Sequence, residues 1–451
     1  MKKPSRRLTV GLATFVTTAL LGGTIYWMGG QSAETRFEAQ MTRAKALGLS
    51  EKEDEIWPPP RDPRDDAAPF YTAFGKAATF RAAAKATPYP PAYPANEVEM
   101  RAIRTVLDSV AADLADLEEI AKLPECRFRR TYASRTSDTD SSVFYYAMRL
   151  LCQRALCEAA GGAPVRAMRS LTLAARVAAQ SGQESDHFAK IRQSGFEAMI
   201  VKAAEEILGD SGRRADVRVA ARGMLAAFGP LPDMKDGFRV AWYTRLHFTK
   251  DLRKDGIVSG SCVDTMSWAY DATGGKRQGY ERASFALAME TRAGRTRLAT
   301  RMARYFLDCY EAVPDDPLQT KTLYRLAKEF ESPPPTAGVE EIVARRLTTN
   351  LAMDMQSGAT LIIRRRLFAA LLNALDTPLP PKTLPLAGKE AIDPYSGQPY
   401  RYQAQEDGIQ IWSVGFDGGE ERSASDIAVL WPRPKTRPKM KTQPPVSSLS
   451  R

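Results

Sequence analysis

Histidine occurs only at His187 and His247, far apart and outside any His-Glu-x-x-His grouping. Zinc hydrolysis of the helix-borne type is therefore excluded, and a nucleophile–histidine–acid triad has two bases at most to draw on. No Gly-x-Ser-x-Gly elbow, Walker loop or Gly-x-Gly-x-x-Gly run occurs, and Gly274-Gly275-Lys276 lacks the preceding glycine and the following Ser or Thr of a phosphate loop. The acid–base groups that remain are carboxylates. Glycoside cleavage needs two of them a short distance apart, and Glu118-Glu119, Glu205-Glu206 and Glu340-Glu341 are adjacent pairs. Adjacent acids on a helix ordinarily mark its solvated face, so an envelope hydrolase working through paired carboxylates stands as the alternative reading. The cysteines, Cys126, Cys152, Cys157, Cys262 and Cys309, are odd in number and form no Cys-x-x-Cys pair, which removes zinc ribbons and thioredoxin motifs. Cys152 and Cys157 point to different faces of one expected helix, and the set reads as small buried apolar residues.

The elements that would position such residues follow from length and charge. A chain of 451 residues holds two or three domains and a sizeable core. Its net charge of +11 is concentrated at the ends: Lys2, Lys3, Arg6 and Arg7 open the chain, and Arg433, Lys435, Arg437, Lys439, Lys441 and Arg451 close it, with no acid in either stretch. The body between them carries a net charge near +1. A near-neutral body offers no basic platform for phosphate backbones, so nucleic acid is not an expected partner.

The stub 1–7 precedes an uncharged run, 8–30, that includes Leu12, Phe15, Val16, Leu20, Leu21 and Ile25 and ends near Tyr26 and Trp27. Its length matches a hydrocarbon core of about 30 Å. Four basic residues before it and the first later charges at Glu34 and Arg36 place the N-terminus in the cytoplasm and the rest outside. A cleaved signal ending at Gly30-Gln31-Ser32 is the rival reading, though the apolar run is longer than a signal core.

The body reads as helices joined by short breaks, a mainly α fold. Glu34 to Leu49 is an amphipathic helix. Ser50 with Glu53 forms a capping box, and the rigid Trp57-Pro58-Pro59-Pro60 stretch makes residues 31–64 a juxtamembrane helix and spacer. The α-helical domain, 65–376, opens with Phe70, Phe74, Ala77 and Ala78 at helical spacing. Asn96 and Glu99 then cap a helix whose apolar stripe runs from Met100 through Ile103, Leu107, Val110, Leu114 and Leu117 to Ala121. Val143 to Ala160, a Gly161-Gly162 stop and Pro164 in the first turn of the next helix describe a repeat-like α-hairpin. Helices are expected over Phe188–Leu208, Ala215–Phe228, Gly237–Lys254, Arg295–Ala312, Leu318–Phe330 and Val339–Leu375, with a long loop from Gly256 to Gly279. No clean 34-residue period appears, so a true tetratricopeptide array is not indicated. Residues 377–432 change character: Pro399-Tyr400-Arg401-Tyr402 and Ile409-Gln410-Ile411-Trp412-Ser413-Val414 alternate about a Glu-Asp-Gly turn and form a β-hairpin. Residues 433–451 have nothing to bury and read as a disordered basic tail, either solubilising or touching anionic lipid or wall polymer.

Asp393-Pro394-Tyr395-Ser396-Gly397-Gln398-Pro399-Tyr400-Arg401-Tyr402, then Ile411-Trp412-Ser413-Val414-Gly415-Phe416-Asp417-Gly418-Gly419 and Asp426-Ile427, resemble the C-terminal module of the type II secretion major pseudopilin over about 40 of the 451 residues. The pseudopilin N-terminus, with its processing site, is missing here, so assembly into a pilus is not implied. The ensemble of anchor, Trp-Pro-Pro spacer, Ala-rich helical body and this ending also resembles uncharacterised membrane-anchored helical proteins of planctomycete type, which bring no assigned activity. The pseudopilin resemblance implies calcium, with Asp417 and Asp426 as side-chain ligands and Ser425 standing where the family has an acid. The sequence thus points to a non-enzymatic, single-pass scaffold of the bacterial inner membrane, its bulk extracytoplasmic, partnered by the membrane through 8–30 and by an envelope protein or peptide. If calcium binds, added Ca²⁺ raises the thermal midpoint of the wild type and not of Asp417→Ala. A shift that survives the substitution removes this site.

Overall fold

The computed structural model describes residues 31–432, except 57, 60–61, 95, 129–137, 184–186, 232–233, 255–288, 290, 332–338, 347–350, 378–379, 406–407 and 416–426. The stub, the apolar run 8–30, the Gly256–Gly279 loop and the tail lie outside the described residues. Among those residues there are fifteen α-helices and one three-stranded sheet, and no helix is long and apolar enough to cross a membrane.

The hairpin at the centre forms as its punctuation dictates. Helix α7 (Asp138–Ala160) stops at Gly161-Gly162, where Gly162 takes a φ of 82° and the Ala163 amide donates back to the Glu158 carbonyl at 2.9 Å. Helix α8 (Pro164–Ser181) begins on its proline, whose missing N–H costs nothing in the first turn. It carries Ala167, Leu171, Ala174, Ala175, Val177 and Ala178 buried, and packs against α7, α9 (His187–Ser211) and α10 (Ala215–Ala227). Small side chains on several faces let α8 sit inside the stack. Helix α15 (Leu351–Leu375) lies on α9, is buried along Leu361, Ile363, Leu367, Phe368, Leu371 and Leu372, and carries the sheet on another side. The short helices α3 (Ala68–Lys76), α4 (Ala78–Ala86), α5 (Glu97–Asp108) and α6 (Ala111–Ile120) complete this main core. Two buried glutamines fasten the irregular chain between them. Gln153 exchanges two hydrogen bonds with the Ala92 backbone, and Gln180 donates to the Leu123 carbonyl at 2.8 Å while accepting from the Tyr71 hydroxyl.

A second core joins the helix at residues 31–46, α1, to α11 (Met234–Lys254), α12 (Arg292–Ala312) and α13 (Thr320–Glu331). Phe37, Met41 and Ala44 of α1 are buried against Trp242, Phe306 and Tyr310 among others. The helix read from the sequence as the start of a spacer is therefore built into the body. Short helices α2 (Glu53–Ile56) and α14 (Val339–Arg346) flank this core.

Three expectations are corrected. The stripe from Met100 to Ala121 belongs to two helices, because Val110 leaves helical geometry at φ −126°, ψ 23°; Leu107, Val110, Leu114 and Leu117 nonetheless stay on the buried side. Val339–Leu375 likewise comprises α14 and α15. The hairpin of β1 (Arg401–Gln405) and β2 (Gly408–Ser413) gains a third strand, β3 (Ile427–Trp431), in the antiparallel order β1-β2-β3. Ile409, Ile411 and Ser413 of β2 and Ile427, Val429 and Trp431 of β3 are buried in strict alternation, and both strands pack on α15.

Trp431 ties the sheet to the helices. Its indole N–H donates to the Leu208 carbonyl near the end of α9 at 2.7 Å, and the Arg213 guanidinium sits 4.7 Å from its ring centroid. Gly212 makes room for that approach, since a Cβ there would lie 2.7 Å from the indole nitrogen. Trp431→Phe, which removes the donor and leaves a buried carbonyl, should cost about 1 kcal/mol, and Trp431→Ala about 3–5 kcal/mol through the cavity it opens. Thermal unfolding of the full chain checks this: the midpoint should fall for both and further for Ala, and equal midpoints contradict the contact.

Candidate functional site

An arginine-lined cleft lies where α1, α12 and α14 meet. Arg297, Arg301 and Arg304 follow the i, i+4, i+7 spacing that brings side chains onto one face of a helix, here α12, while Leu298, Ala299, Met302 and Phe306 bury the other. Ala33 and Arg36 enter from the first turns of α1, and Glu341 from α14, enclosing about 320 Å³ with Thr300. That volume falls in the range of small-ligand sites. Arg36, Arg297 and Arg304 are exposed and Arg301 is half-buried. Glu341, the one carboxylate among the described lining residues, accepts from the Tyr305 hydroxyl and from Arg345 at 3.1 Å. The Tyr305 bond, then Arg345 and the nearby Arg301 charge, hold its pKa below the ordinary carboxylate range against the opposing effect of burial. Arg304 and Arg345 both lie over the Tyr305 ring, at 5.0 and 4.7 Å. The described lining thus brings four guanidiniums together, groups whose forked donors suit planar oxygen acceptors.

The cleft keeps its shape because α1 is held at both ends. Glu34 pairs with Arg253 and with Arg292 at 3.1 Å, and Arg43 reaches Asp308 at 2.7 Å and Glu311 at 2.6 Å. The Arg253 guanidinium also lies 4.0 Å from the Phe37 ring centroid.

The residues singled out from sequence are placed as follows. Asp417 and Asp426 lie outside the described residues. Asp393 is 1% exposed and its carboxylate accepts from the Ser413 hydroxyl at 2.9 Å, the Val414 amide at 3.0 Å and the Tyr395 amide at 3.1 Å. The Gly397 amide returns to the Asp393 carbonyl at 2.7 Å, with Gly397 at φ 74°. The Asp-Pro-Tyr-Ser-Gly motif is thus a knot joining the turn to the end of β2, and its leading acid is committed to protein donors rather than to a cation. Among the described residues no group of three or more His, Cys, Asp or Glu could hold a metal ion.

Among the described residues the carboxylate pairs are not assembled in one cleft. Glu118 and Glu119 are both exposed on α6, Glu205 is buried beside half-buried Glu206 on α9, and Glu341 lies in the arginine cleft. The burial of Glu205 departs from the solvated face expected of adjacent acids. It belongs with a charge cluster that sequence reasoning missed: fully buried Glu197 takes two hydrogen bonds from Arg365, at 2.6 and 2.9 Å, and a third from Gln193 at 3.0 Å. Neighbouring Arg364 is held below the usual arginine range by burial, an effect opposed by Glu197 and Glu205. A carboxylate so enclosed is closed to substrate and works as an internal fastener between α9 and α15. His247 is half-buried and lies against Tyr243, its ring centroid 4.4 Å away. Cys126, Cys152, Cys157 and Cys309 are buried free thiols, and burial pushes Cys152 up to about 12, where little thiolate exists to react.

Together these features define a mainly α protein with a small antiparallel sheet and an arginine-lined cleft. No family model, no curated protein and no solved structure matches the chain.

Asp393→Ala should strand the Val414 amide and the Ser413 hydroxyl in a dry site, loosening the C-terminal sheet by about 2–3 kcal/mol. Limited proteolysis reads this directly: the variant should lose a C-terminal fragment under conditions that leave the wild type whole, and equal resistance contradicts the knot.

Proposed function

We propose that the chain is a single-pass protein of the bacterial inner membrane whose helical body stands on the extracytoplasmic side and acts without catalysis, holding an envelope protein or peptide. One observation carries the reading: α1 begins directly after the apolar run 8–30 and is packed into the second core through Phe37, Met41 and Ala44. A body fused in this way to an anchor would be held at a fixed stand-off and orientation from the lipid, as a scaffold requires. The basic stub 1–7 sets the orientation by the positive-inside rule, and stacked helical hairpins offer grooves to an extended partner. The pseudopilin-like ending, with calcium at Asp417 and Asp426, belongs to the same proposal as the module that closes the body.

Topology and capture test it together. A reporter that is active only outside the cytoplasm should score when fused at the C-terminus, the protein should stay with membranes through an alkaline wash, and cross-linked full chain should enrich a specific envelope protein over a control made of residues 1–30 alone. A reporter active only inside, intact protein in the aqueous supernatant, or enrichment no better than the control contradicts the reading.

A further inference from the structure

We infer that the tyrosine cluster between α4 and α7 is a docking site for an acidic, proline-bearing extended peptide, an inference that rests on the proposed holding of a protein or peptide and not on the anchor. The cluster is built around the loop that follows α4. Arg149 of α7 donates to the Lys85 and Pro88 carbonyls, both at 3.3 Å, and to that of Thr87. One turn further along α7, Gln153 exchanges hydrogen bonds with the Ala92 backbone at 3.2 and 2.9 Å. Pinned at both ends, the stretch Pro88-Tyr89-Pro90-Pro91 holds Tyr89 outward, 56% exposed. Its ring meets that of half-buried Tyr145 at 5.2 Å and 54°, and Tyr145 meets half-buried Tyr146 at 6.0 Å and 67°. The Arg149 guanidinium lies 5.4 Å from the Tyr89 ring centroid. An exposed aromatic side chain held in place this way is preorganised and loses little freedom when a partner covers it.

Geometry and charge together select the occupant. Rings tilted by 54° and 67° to one another leave notches rather than one flat face, and proline rings dock in aromatic-lined grooves of that kind. A polyproline segment arrives already extended, with backbone carbonyls free to accept from tyrosine hydroxyls. Charge then sets the sign of the partner. Arg81 and Lys85 share a face of α4 at i, i+4 spacing, are exposed and, among the described residues, enter no ion pair. The stretch 67–96 that carries them also holds Lys76 and contains no Asp or Glu. Cations beside an aromatic cluster steer an acidic segment onto it and turn a basic one away.

The experiment titrates the full chain, in neutral detergent, into a fluorescein-labelled peptide, Glu-Glu-Pro-Pro-Glu-Pro-Pro-Glu-Glu, and reads fluorescence anisotropy. Counterparts with Lys for every Glu, or Gly for every Pro, are titrated alongside. The acidic proline peptide should bind, more tightly at low salt, and each counterpart should bind about 10-fold or more weakly. Tyr89→Ala, a substitution at an exposed position, should keep the helical circular dichroism and lose about 10-fold in affinity. The Arg81→Gln, Lys85→Gln variant should weaken binding and flatten its salt dependence, and Val219→Ala, at an exposed position on α10, should bind as wild type. Absence of binding, binding unchanged by Tyr89→Ala, or a lysine or glycine counterpart that binds as well overturns the assignment. Self-association of the full chain that Tyr89→Ala abolishes gives the cluster to a second copy instead and overturns it too. Topology and membrane fractionation are read separately, so failure of the anchored reading and failure of the peptide site are told apart.

Discussion

Phe37, Met41 and Ala44 lie on one face of α1 and are buried against α11 and α12, while ion pairs hold both ends of the same helix. The two kinds of contact do different work. Burying a Phe or Met side chain contributes about 1.5–3 kcal/mol, whereas partly exposed ion pairs such as Arg43 with Glu311 contribute about 0–1 kcal/mol each after screening and side-chain ordering. The apolar face therefore supplies the affinity of α1 for the body, and Glu34 and Arg43 fix its register. On that register depends the cleft, since Ala33 and Arg36 complete a wall that α12 and α14 cannot close by themselves.

At the other end of the chain the same logic appears with buried polar groups. The three-stranded sheet adheres to α9 and α15 through the alternating apolar side of β2 and β3. Trp431 and Asp393 then make that adhesion specific, one satisfying a helix carbonyl and the other gathering donors from two segments. Deeper in, Glu197 and Arg365 fasten α9 to α15. Pairs of this kind contribute little net stability relative to a well-packed apolar substitute, but losing one partner costs about 3–5 kcal/mol. Their effect here is to allow one relative placement of the helices that carry the sheet.

Much of this was legible in the residues. Pro164 and Gly161-Gly162 delimit the central hairpin as punctuation should, and the Asn96 side chain caps α5 by accepting from the Glu99 amide at 2.9 Å. What escaped shares a cause. The break at Val110 has no Gly or Pro to announce it, and the apolar stripe continues across it because both helices face one core. β3 alternates Ile427, Val429 and Trp431 plainly enough, yet a five-residue run acquires meaning only beside a partner strand. The arginine cleft joins Arg36 to α12 residues some 260 positions away, and the sequence reading singled out none of Arg297, Arg301 and Arg304. Glu197 and Arg365 could not be paired from sequence, because an isolated charge on a helix gives no sign of what faces it. Asp393 was visible as part of a motif, while its work as an acceptor for β2 depends on the fold. Asp417 and Asp426, the residues expected to take calcium, fall outside the described residues.

The docking of α1 is the central claim, and hydrogen–deuterium exchange on the full chain in a lipid nanodisc measures it most directly. Amides of residues 34–44 should exchange as slowly as those of α12, and Phe37→Asp should speed exchange in both helices together. Fast exchange confined to residues 31–46 while α12 stays protected would mean a helix that is not docked on the body, and would contradict the account.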